Sequence, residues 1–441
     1  MIAPFPRFCF CVFASFLLSV ASSIAAESAA GVTVLKAARL FDGKAKALVP
    51  NGVVVVEGDR IVDAGSGIAI PQGAKVIDLG DATLSPGFMD AHTHLTFDGS
   101  IGHKDAMLRD LQDETAKKAY DALEFARSTL EAGFTTVRDV GAPDFIDVAL
   151  RDAAAKGTVM GPRMLVATKG IGATGGHFDS TNGFQADLFG KQPDYTDGIV
   201  DGPEEVRKAV RFEVKHGADL IKGSVSGGVL SLADEVDVPQ LTPAEIAAMV
   251  EETHRLRKKV AVHCHGDTAA RDAIEGGVDS IEHGSFLKPE TLTLMKSKGT
   301  ALVATLMATE WIMGKLDQYP PAVQEKAKAA AAARSDMFRN AVKIGVRIAL
   351  GTDAGVFPHG QNAKEFALMT GLGMAPIDAL RAATSVNAEL FGIAQKVGTL
   401  EKGKLADVIA MPADPTQDIT VTERVFFVMK EGHVVKNGAV Q

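Results

Sequence analysis

The chain alternates eight short apolar runs with longer amphipathic stretches, and this alternation constrains its fold more than any other feature. The apolar runs have the length and composition of buried β-strands, and the stretches between them are long enough to form crossover helices. Eight such units predict a parallel sheet closed into an α/β fold, the (β/α)8 TIM barrel. The predicted strands are residues 84–90, 135–140, 163–168, 219–224, 260–263, 280–283, 301–306 and 347–352, and the clearest helices are residues 116–132, 203–216, 243–258, 289–298 and 322–344.

The regions on either side of the barrel have a different pattern. Residues 31–83 contain short β segments broken by glycine-containing turns, and residues 395–441 contain a second β-rich piece with a hairpin turn at residues 430–433. Neither piece is large enough to bury a good core by itself. We therefore predict a small β-sandwich domain built from residues 31–83 plus 395–441, with residues 84–394 inserted as the barrel.

Residues 1–26 have the layout of a cleaved export signal. Arg7 precedes an apolar stretch over residues 8–20, and small residues follow before the acidic Glu27. An uncleaved anchor is the alternative, but the apolar stretch is short for a membrane span. Cleavage predicts a periplasmic or secreted protein with no stable membrane insertion.

Composition excludes one class of partner. The formal charge is −9 and no basic stripe is present, which argues against nucleic acid. A chain of 441 residues with 46% hydrophobic content suits one large barrel plus a small domain. We expect a small-molecule or dipeptide substrate and a homo-oligomer, although the sequence identifies no subunit interface.

Six residues with metal-binding side chains fall at the downstream ends of predicted strands. In a TIM barrel these ends share one face, so residues distant in sequence can converge on one point. His92 and His94 are two positions apart on a strand and therefore point to the same side. Nitrogen and oxygen donors gathered in this way predict metal-assisted hydrolysis. The six residues are His92, His94, Lys222, His263, His283 and Asp353.

Three motifs resemble those of the amidohydrolase superfamily: PGFMDAHTH at residues 86–94, IEHG at residues 281–284 and GTDAG at residues 351–355. The segment GTLEKGKLAD at residues 398–407 is similar to the superfamily's return into its β-sandwich, so the resemblance covers nearly the whole mature chain. The closest likeness is to the group that contains imidazolonepropionase-like proteins, Xaa-Pro and Xaa-Arg/Lys dipeptidases, and ochratoxinase. This resemblance implies a centre of two divalent metal ions.

The resemblance also implies a role for each candidate ligand. His92, His94 and Asp353 would bind the more buried ion, and His263 and His283 the more exposed one. Lys222 would bridge the two ions as an N6-carboxylated lysine (a carbamate). An unmodified ammonium would repel the ions, whereas the carbamate is an anionic oxygen ligand.

Zinc suits this mixed nitrogen and oxygen set best, with manganese and cobalt as alternatives. Two ions about 3.5–4 Å apart would make hydroxide available at neutral pH for attack on a carbonyl and would polarise the scissile oxygen. Asp353 is the predicted catalytic residue, which accepts the proton and delivers it to the leaving amine.

Each ligand assignment has a simpler alternative. Lys222 could end a surface strand, His283 could be a core histidine, and Asp353 could cap a helix. In VHCH, residues 262–265, the ligand could be His265 instead of His263. Cys264 lies between them and is the single cysteine of the mature chain. Its side chain should point to the opposite face of the strand, which favours a packing role over metal binding.

Substrate contacts are predicted from three segments. His177, in the glycine-rich loop TGGH at residues 174–177, could hold a carboxylate or an oxyanion, or could be an exposed loop residue. The resemblance leaves His265 free for the substrate. The loop SGGV at residues 226–229 resembles the corresponding loop of the dipeptidase group, so Ser226, Gly227 and Gly228 are expected to line the pocket. Arg138 could form an internal pair or receive an anionic group, and we favour the pair.

The favoured function is an exported metallohydrolase that cleaves the amide bond of a C-terminal amino acid in a dipeptide or an N-acyl amino acid, including ochratoxin-like amides. A deaminase or cyclic-amide hydrolase is the alternative within the superfamily, and Lys222 argues against the mononuclear deaminase type. A catalytically inactive binding protein is the alternative outside it, because fold does not fix function. Competent side chains at all six ligand positions argue against that reading.

Overall fold

The computed structural model describes residues 31–185 and 188–438, so the predicted signal at residues 1–26 lies outside the described residues. Across the described part of the chain, no helix combines the length and apolar character needed to cross a membrane. The strands are β1 (Val32–Leu40), β2 (Val49–Glu57), β3 (Arg60–Ser66), β4 (Lys75–Asp78), β5 (Ala82–Pro86), β6 (Phe88–Thr93), β7 (Phe134–Asp139), β8 (Arg163–Val166), β9 (Leu220–Ser224), β10 (Lys259–Cys264), β11 (Ser280–His283), β12 (Ala301–Val303), β13 (Val408–Pro412), β14 (Phe427–Lys430) and β15 (His433–Asn437). The α-helices are α1 (His103–Gln112), α2 (Thr115–Glu131), α3 (Ile146–Ala155), α4 (Pro203–Lys215), α5 (Pro243–Arg255), α6 (Asp267–Gly276), α7 (Pro289–Lys298), α8 (Leu306–Gly314), α9 (Pro321–Ile344), α10 (Lys364–Gly371), α11 (Pro376–Arg381) and α12 (Asn387–Leu390).

Strands β6 to β12 form the wall of the predicted barrel. They pair in parallel as β6-β7-β8 and as β9-β10-β11-β12. Asp219 N donates to Val166 O at 2.7 Å and so joins β8 to the start of β9. On the opposite side, residues 347–353 take the place of the eighth strand. Leu302 N donates to Arg347 O at 2.9 Å, and Asp353 N donates to His92 O at 2.7 Å, which links β12 to β6 through this irregular segment.

The barrel helices begin and end at residues suited to those positions. Helices α4, α5, α7 and α9 each start with proline, whose missing N–H costs nothing in the first turn. Thr242 and Glu245 form a capping box at the start of α5. Helices α7 and α9 end at Gly299 and Gly345, both in the left-handed conformation that glycine adopts without strain. These local signals explain why four of the five helices expected from sequence form with nearly the predicted bounds.

Strands from both ends of the chain form the predicted small domain. They make one eight-stranded sheet in the order β15-β14-β13-β5-β1-β2-β3, with β4 beside β1. Alternate residues bury on opposite faces of this sheet, with Leu35 and Val54 in one apolar cluster and Val34 and Val53 in another. The predicted turn at residues 430–433 is present, and its central residues, Glu431 and Gly432, both have positive φ.

The predicted first barrel strand, residues 84–90, is two strands. Strand β5 ends at Pro86 inside the terminal sheet, and β6 begins at Phe88 inside the barrel. A Cβ on Gly87 would lie 2.1 Å from Thr135 Oγ1, so only glycine fits where the chain passes between the two domains. The barrel therefore begins four residues later than the predicted boundary at residue 84.

Candidate metal centre

All six predicted ligands, and the two predicted substrate-contacting histidines, line one cavity of about 280 Å³. They come from the ends of β6, β9, β10 and β11, from the segment that closes the barrel and from the loop after β8. This face is where the carboxyl ends of parallel barrel strands meet, and it is the usual place for an active site in this fold. The eight residues are His92, His94, His177, Lys222, His263, His265, His283 and Asp353.

One cluster contains His92, His94 and Asp353. Asp353 Oδ1 lies 3.5 Å from His92 Nε2 and 3.4 Å from His94 Nε2. One ligand atom from each residue lies within 4.8 Å of the others, which is close enough for all three to bind one ion. Asp353 caps no helix, because the next helix begins at Lys364. Two imidazoles and a carboxylate are a donor set that suits zinc.

A second cluster contains His263, His265 and His283, whose nearest ligand atoms also lie within 4.8 Å of one another. Both histidines of the 262–265 segment thus face the same point, and this geometry does not choose between them as ligands. Cys264, between them, is fully buried and directs its Sγ towards Gly266 O at 3.3 Å. Its surroundings are those of a packing residue.

Lys222 belongs to the same cavity and is not a surface residue. Its side chain is almost fully buried, and Nζ lies 3.4 Å from His92 Nε2. Burial lowers the pKa of Lys222, because the charged form loses its hydration. A buried lysine amine next to a histidine cluster is the feature of the site that most needs a chemical explanation.

Hydrogen bonds fix the orientation of the four histidine rings assigned as ligands. His92 Nδ1 meets Glu282 Oε2 at 2.9 Å, His94 Nδ1 meets Gly141 O at 3.0 Å, and His283 Nδ1 meets Thr305 Oγ1 at 2.7 Å. His263 is held through its other ring nitrogen, because its Nε2 lies 3.1 Å from Gly227 O. These partners leave Nε2 of the first three rings, and Nδ1 of His263, free to bind an ion.

The protonation state of these rings also fits metal binding. Burial holds the pKa of His92, His263 and His283 well below the ordinary value, because a charged ring would lose its hydration. The rings are therefore neutral at pH 7, and a neutral imidazole has the lone pair that a metal ion requires. The donor chemistry, the ring orientation and the protonation of the residues present all suit two divalent ions.

Two residues that support His92 were not assigned this role from the sequence. Glu282 accepts from His92 on one oxygen, and its other oxygen accepts from Arg138 Nη2 at 2.7 Å and from Ser280 Oγ at 2.5 Å. Arg138 Nε also donates to Ala91 O at 2.6 Å. Arg138 thus forms an internal pair, with Glu282. The sequence did contain one signal for the role of Glu282, because this acidic residue directly precedes the candidate ligand His283 on a buried strand.

We expect Arg138→Met to destabilise the protein by roughly 3–5 kcal/mol, because it leaves the Glu282 carboxylate buried without its cation. The free energy of unfolding from urea titration measures this effect. Arg127→Met is the matched control, since Arg127 is an exposed residue paired with Glu131 on α2, and it should leave the unfolding midpoint close to that of the wild type. Equal midpoints for the two variants would contradict the structural role of the Arg138–Glu282 pair.

Asp90 holds together the two segments that carry the first cluster. Its carboxylate accepts from His92 N and Thr352 N, both at 3.0 Å, and from Thr352 Oγ1 at 2.6 Å and Asn362 Nδ2 at 2.7 Å. The residue is completely buried. It therefore fixes the position of His92 relative to Asp353, one residue beyond Thr352. The sequence placed Asp90 in a motif but gave no reason to assign this role.

The prediction that Ser226, Gly227 and Gly228 line the pocket is not supported by their positions. None of these three lines the cavity, and the next two residues, Val229 and Leu230, do. Ser226 Oγ accepts from His265 N at 2.8 Å, and Gly227 O meets His263. The loop lies behind the histidines and supports them, and residue spacing could not reveal which side of the rings it would occupy.

Comparisons with known proteins agree with this architecture. The model of the amidohydrolase family matches residues 83–438. Ochratoxinase of Aspergillus niger is 32% identical over 441 residues, which covers 95% of this chain and 89% of that protein. The recognised superfamily and its ochratoxinase-containing group are therefore confirmed.

Solved structures give the same result. A Xaa-Pro dipeptidase with bound methionine in its active site superimposes with a TM-score of 0.88 at 40% identity, covering 92% of this chain and all of that one (100%). A prolidase complexed with N-methylphosphonate-L-proline superimposes with a TM-score of 0.83 at 29% identity, with 92% and 100% coverage. These likenesses confirm the predicted fold class, a TIM barrel with a small domain. With its family match, its relatives and its gathered donor residues, the chain belongs to the amidohydrolase family.

Proposed function

We propose that this protein is an exported binuclear metal-dependent amidohydrolase that cleaves the amide bond of a C-terminal amino acid in dipeptides or N-acyl amino acids. One observation carries the proposal: two separate clusters of metal-binding side chains face a single cavity that also contains the buried amine of Lys222. A mononuclear site would need only one of these clusters. The named activities of the ochratoxinase and dipeptidase relatives support the choice of bond.

In this proposal, His92, His94 and Asp353 hold one ion, and His263 and His283 hold the other. His265 remains for the substrate. When bound, two divalent ions supply a nucleophile at neutral pH and polarise the scissile carbonyl. Zinc is the expected metal, because imidazole and carboxylate together form its usual donor set.

Lys222 is proposed to bridge the ions as a carbamate. Its amine nitrogen adds to the carbon of carbon dioxide and loses a proton, and the product is an anionic carboxylate on the end of the side chain. The burial that disfavours the ammonium form supports this chemistry, because the neutral amine is the form that reacts. Without the modification, a buried lysine would oppose cation binding in this cavity.

Asp353 is proposed to move the proton. Its carboxylate accepts a proton as the nucleophile attacks and donates it to the leaving nitrogen, so the amine departs neutral. Burial raises the pKa of Asp353, which suits a group that must both accept and release a proton near neutral pH. Its position beside His92 and His94 places this carboxylate at the first cluster.

The cavity wall favours apolar groups on both sides of the amide. Six large apolar side chains line it, and Lys222 and Asp353 are the only ionisable residues besides histidines among its described lining. A basic side chain would find no acidic partner there except Asp353. We therefore expect apolar leaving amino acids and apolar acyl groups, including ochratoxin-like amides, to be better substrates than dipeptides ending in Arg or Lys. The apolar residues are Phe97, Phe178, Val229, Leu230, Ile312 and Val356.

Export is proposed from the layout of residues 1–26. The proposal places the mature enzyme in the periplasm or outside the cell. The intact mass of protein recovered from the periplasmic fraction would show whether this segment is removed, and a mass that still includes residues 1–26 would contradict cleavage.

We expect the purified mature protein to contain close to two divalent ions per chain and to lose its activity on chelation, because both donor clusters need an ion for the site to work. Elemental analysis before and after chelation, with hydrolysis of a mixed dipeptide and N-acyl amino acid library, measures both effects. Restoring zinc should restore hydrolysis.

A single ion with full activity would contradict the binuclear proposal. Activity confined to cyclic amides or to deamination would favour the alternative enzymes of the superfamily, and metal content without any turnover would favour a binding protein.

A further inference from the structure

A buried ion pair lies next to the metal centre but supplies none of its proposed ligands. Lys326 on helix α9 directs Nζ towards Asp234 Oδ1 at 3.0 Å, and their side chains are only 10% and 6% exposed. Lys326 also donates to the backbone oxygens of Ser231 and Asp234 at 2.7 and 3.1 Å. A fully anchored pair of this kind holds the 226–240 loop against the barrel.

Each oxygen of the Asp234 carboxylate accepts two hydrogen bonds, all of them from Lys326 or from residues of the 226–240 loop. Oδ1 accepts from Lys326 and from Ser231 Oγ. Oδ2 accepts from Gly228 N at 3.1 Å and from Gln240 Nε2 at 2.9 Å. Two of these four partners, Ser231 and Gln240, lead directly to His177.

The first route runs through the Ser231 hydroxyl to the imidazole ring. Ser231 Oγ lies 3.0 Å from His177 Nδ1, and its other neighbours, Asp234 Oδ1 and Gly228 O, are both acceptors. A hydroxyl has one proton to donate, and the anionic Asp234 is its strongest acceptor. His177 Nδ1 must then carry the proton and donate to Ser231. The other ring nitrogen, Nε2, is then the one that faces the cavity.

The second route runs through Gln240 to the backbone of the same residue. Gln240 Nε2 donates to Asp234, and its Oε1 accepts from His177 N at 2.9 Å. Gly228 closes the arrangement, because a Cβ there would lie 2.1 Å from His177 Nδ1. The loop is therefore built around this ring, which itself lines the metal-site cavity.

We propose that Asp234, anchored by Lys326, is a positioning residue that acts through Ser231 to hold His177 with its Nδ1 proton directed to the loop and its Nε2 presented to the cavity. In this orientation Nε2 is the atom through which His177 contacts the substrate. The kinetic consequence rests on the proposed amide hydrolysis, but the ring orientation does not.

A double-mutant cycle tests whether Ser231 works through His177. We expect Ser231→Ala to lower kcat/KM roughly 10–100-fold with both ions retained, the range typical of residues that orient a functional group. The same substitution in a His177→Asn background should cause no further loss, since the link it breaks is already gone. Ser231→Thr keeps the hydroxyl and should recover most of the activity. Ser297→Ala, on the exposed surface of α7, is the control and should match the wild type.

A second variant addresses Asp234 without leaving a buried charge. The combined Asp234→Ala and Lys326→Met variant removes both members of the ion pair, and it should lose kcat/KM to the same degree as Ser231→Ala. Equal losses from Ser231→Ala in the wild-type and His177→Asn backgrounds, or an effect below about twofold, would overturn the proposal.

A spectroscopic readout keeps the proposal separate from the proposed activity. In ¹⁵N NMR spectra of the zinc-loaded enzyme with labelled histidine, the His177 signals should report a proton on Nδ1, and His177→Asn identifies them by their loss. Ser231→Ala should shift this tautomer equilibrium. A His177 Nδ1 without a proton in the wild type would refute the positioning role, even in an enzyme that hydrolyses no amide.

Discussion

Lys222→Ala is expected to remove most of the bound metal and to lower amide hydrolysis on the order of 10³-fold or more, because the proposed carbamate would help to hold both ions, and the ions would supply the nucleophile. Lys222 is 1% exposed and lines the cavity, so its loss acts on the site itself. Elemental analysis and initial rates on an apolar dipeptide measure the two losses together.

A matched control comes from another barrel strand. Lys259 lies at the start of β10, is half exposed and pairs with Asp279 at 2.7 Å, away from the cavity. Lys259→Ala should keep both ions and the wild-type rate.

Short carboxylic acids such as acetate or propionate should restore part of the activity of Lys222→Ala, by supplying the missing bridging carboxylate. ¹³C NMR of the wild type prepared under labelled carbon dioxide should show a carbamate signal that Lys222→Ala lacks. A Lys222→Ala enzyme with two ions and unchanged turnover would refute the carbamate.

Asp353→Asn is expected to keep most of the metal while kcat falls by roughly 10²–10⁴-fold, the range for loss of a general acid–base group. The amide keeps an oxygen ligand of nearly the same size but cannot accept a proton. The backbone also tolerates the change, because Asp353 has φ of 64° and asparagine is among the few residues that adopt this left-handed conformation readily. An alanine at this position would add backbone strain to the chemical loss.

Metal content and kcat, measured on the same preparation, give the result for Asp353→Asn. Asp336→Asn, on the exposed surface of α9, is the control and should behave as wild type. Loss of both ions together with unfolding would mean that Asp353 is mainly structural. Normal kcat would transfer the proton-carrying role to another residue of the cavity, with His265 or His177 as the next candidate.

The sequence predicted best what depends on short-range pattern. His92 and His94 could be placed on one side of a strand from their spacing, and Lys222, His263 and His283 from their positions after apolar runs. Because all barrel strands run in the same direction, any residue at a strand end reaches the same face, whatever its distance along the chain. For this reason His92 and His94 could be assigned to the same cavity as Asp353, although more than 200 positions separate them from it in the sequence.

What the sequence could not predict depends on contacts between distant side chains. The roles of Asp90 and Glu282 follow from which hydrogen bonds they make, and no spacing rule specifies those partners. The division at Gly87 was missed although Pro86-Gly87 is a turn signal, because Leu84 and Phe88 on either side of it were joined into one predicted strand. The sequence also gave no sign of which side of the histidines the loop at residues 226–228 would occupy, because its path depends on contacts such as the ion pair between Lys326 and Asp234.

The connection between β5 and β13 has a consequence for how the enzyme folds. Thr83 Oγ1 donates to Ala413 O across 330 positions, and Gly87 N donates to Asp407 O directly before the strand that carries His92 and His94. Contacts of such high sequence separation form slowly, because a long loop must be closed before they contribute any stability. The barrel wall can assemble from neighbouring strands while its first strand is still unanchored at one end. We therefore expect residues beyond 400 to dock late in folding, and His92 and His94 to become rigid only after that docking.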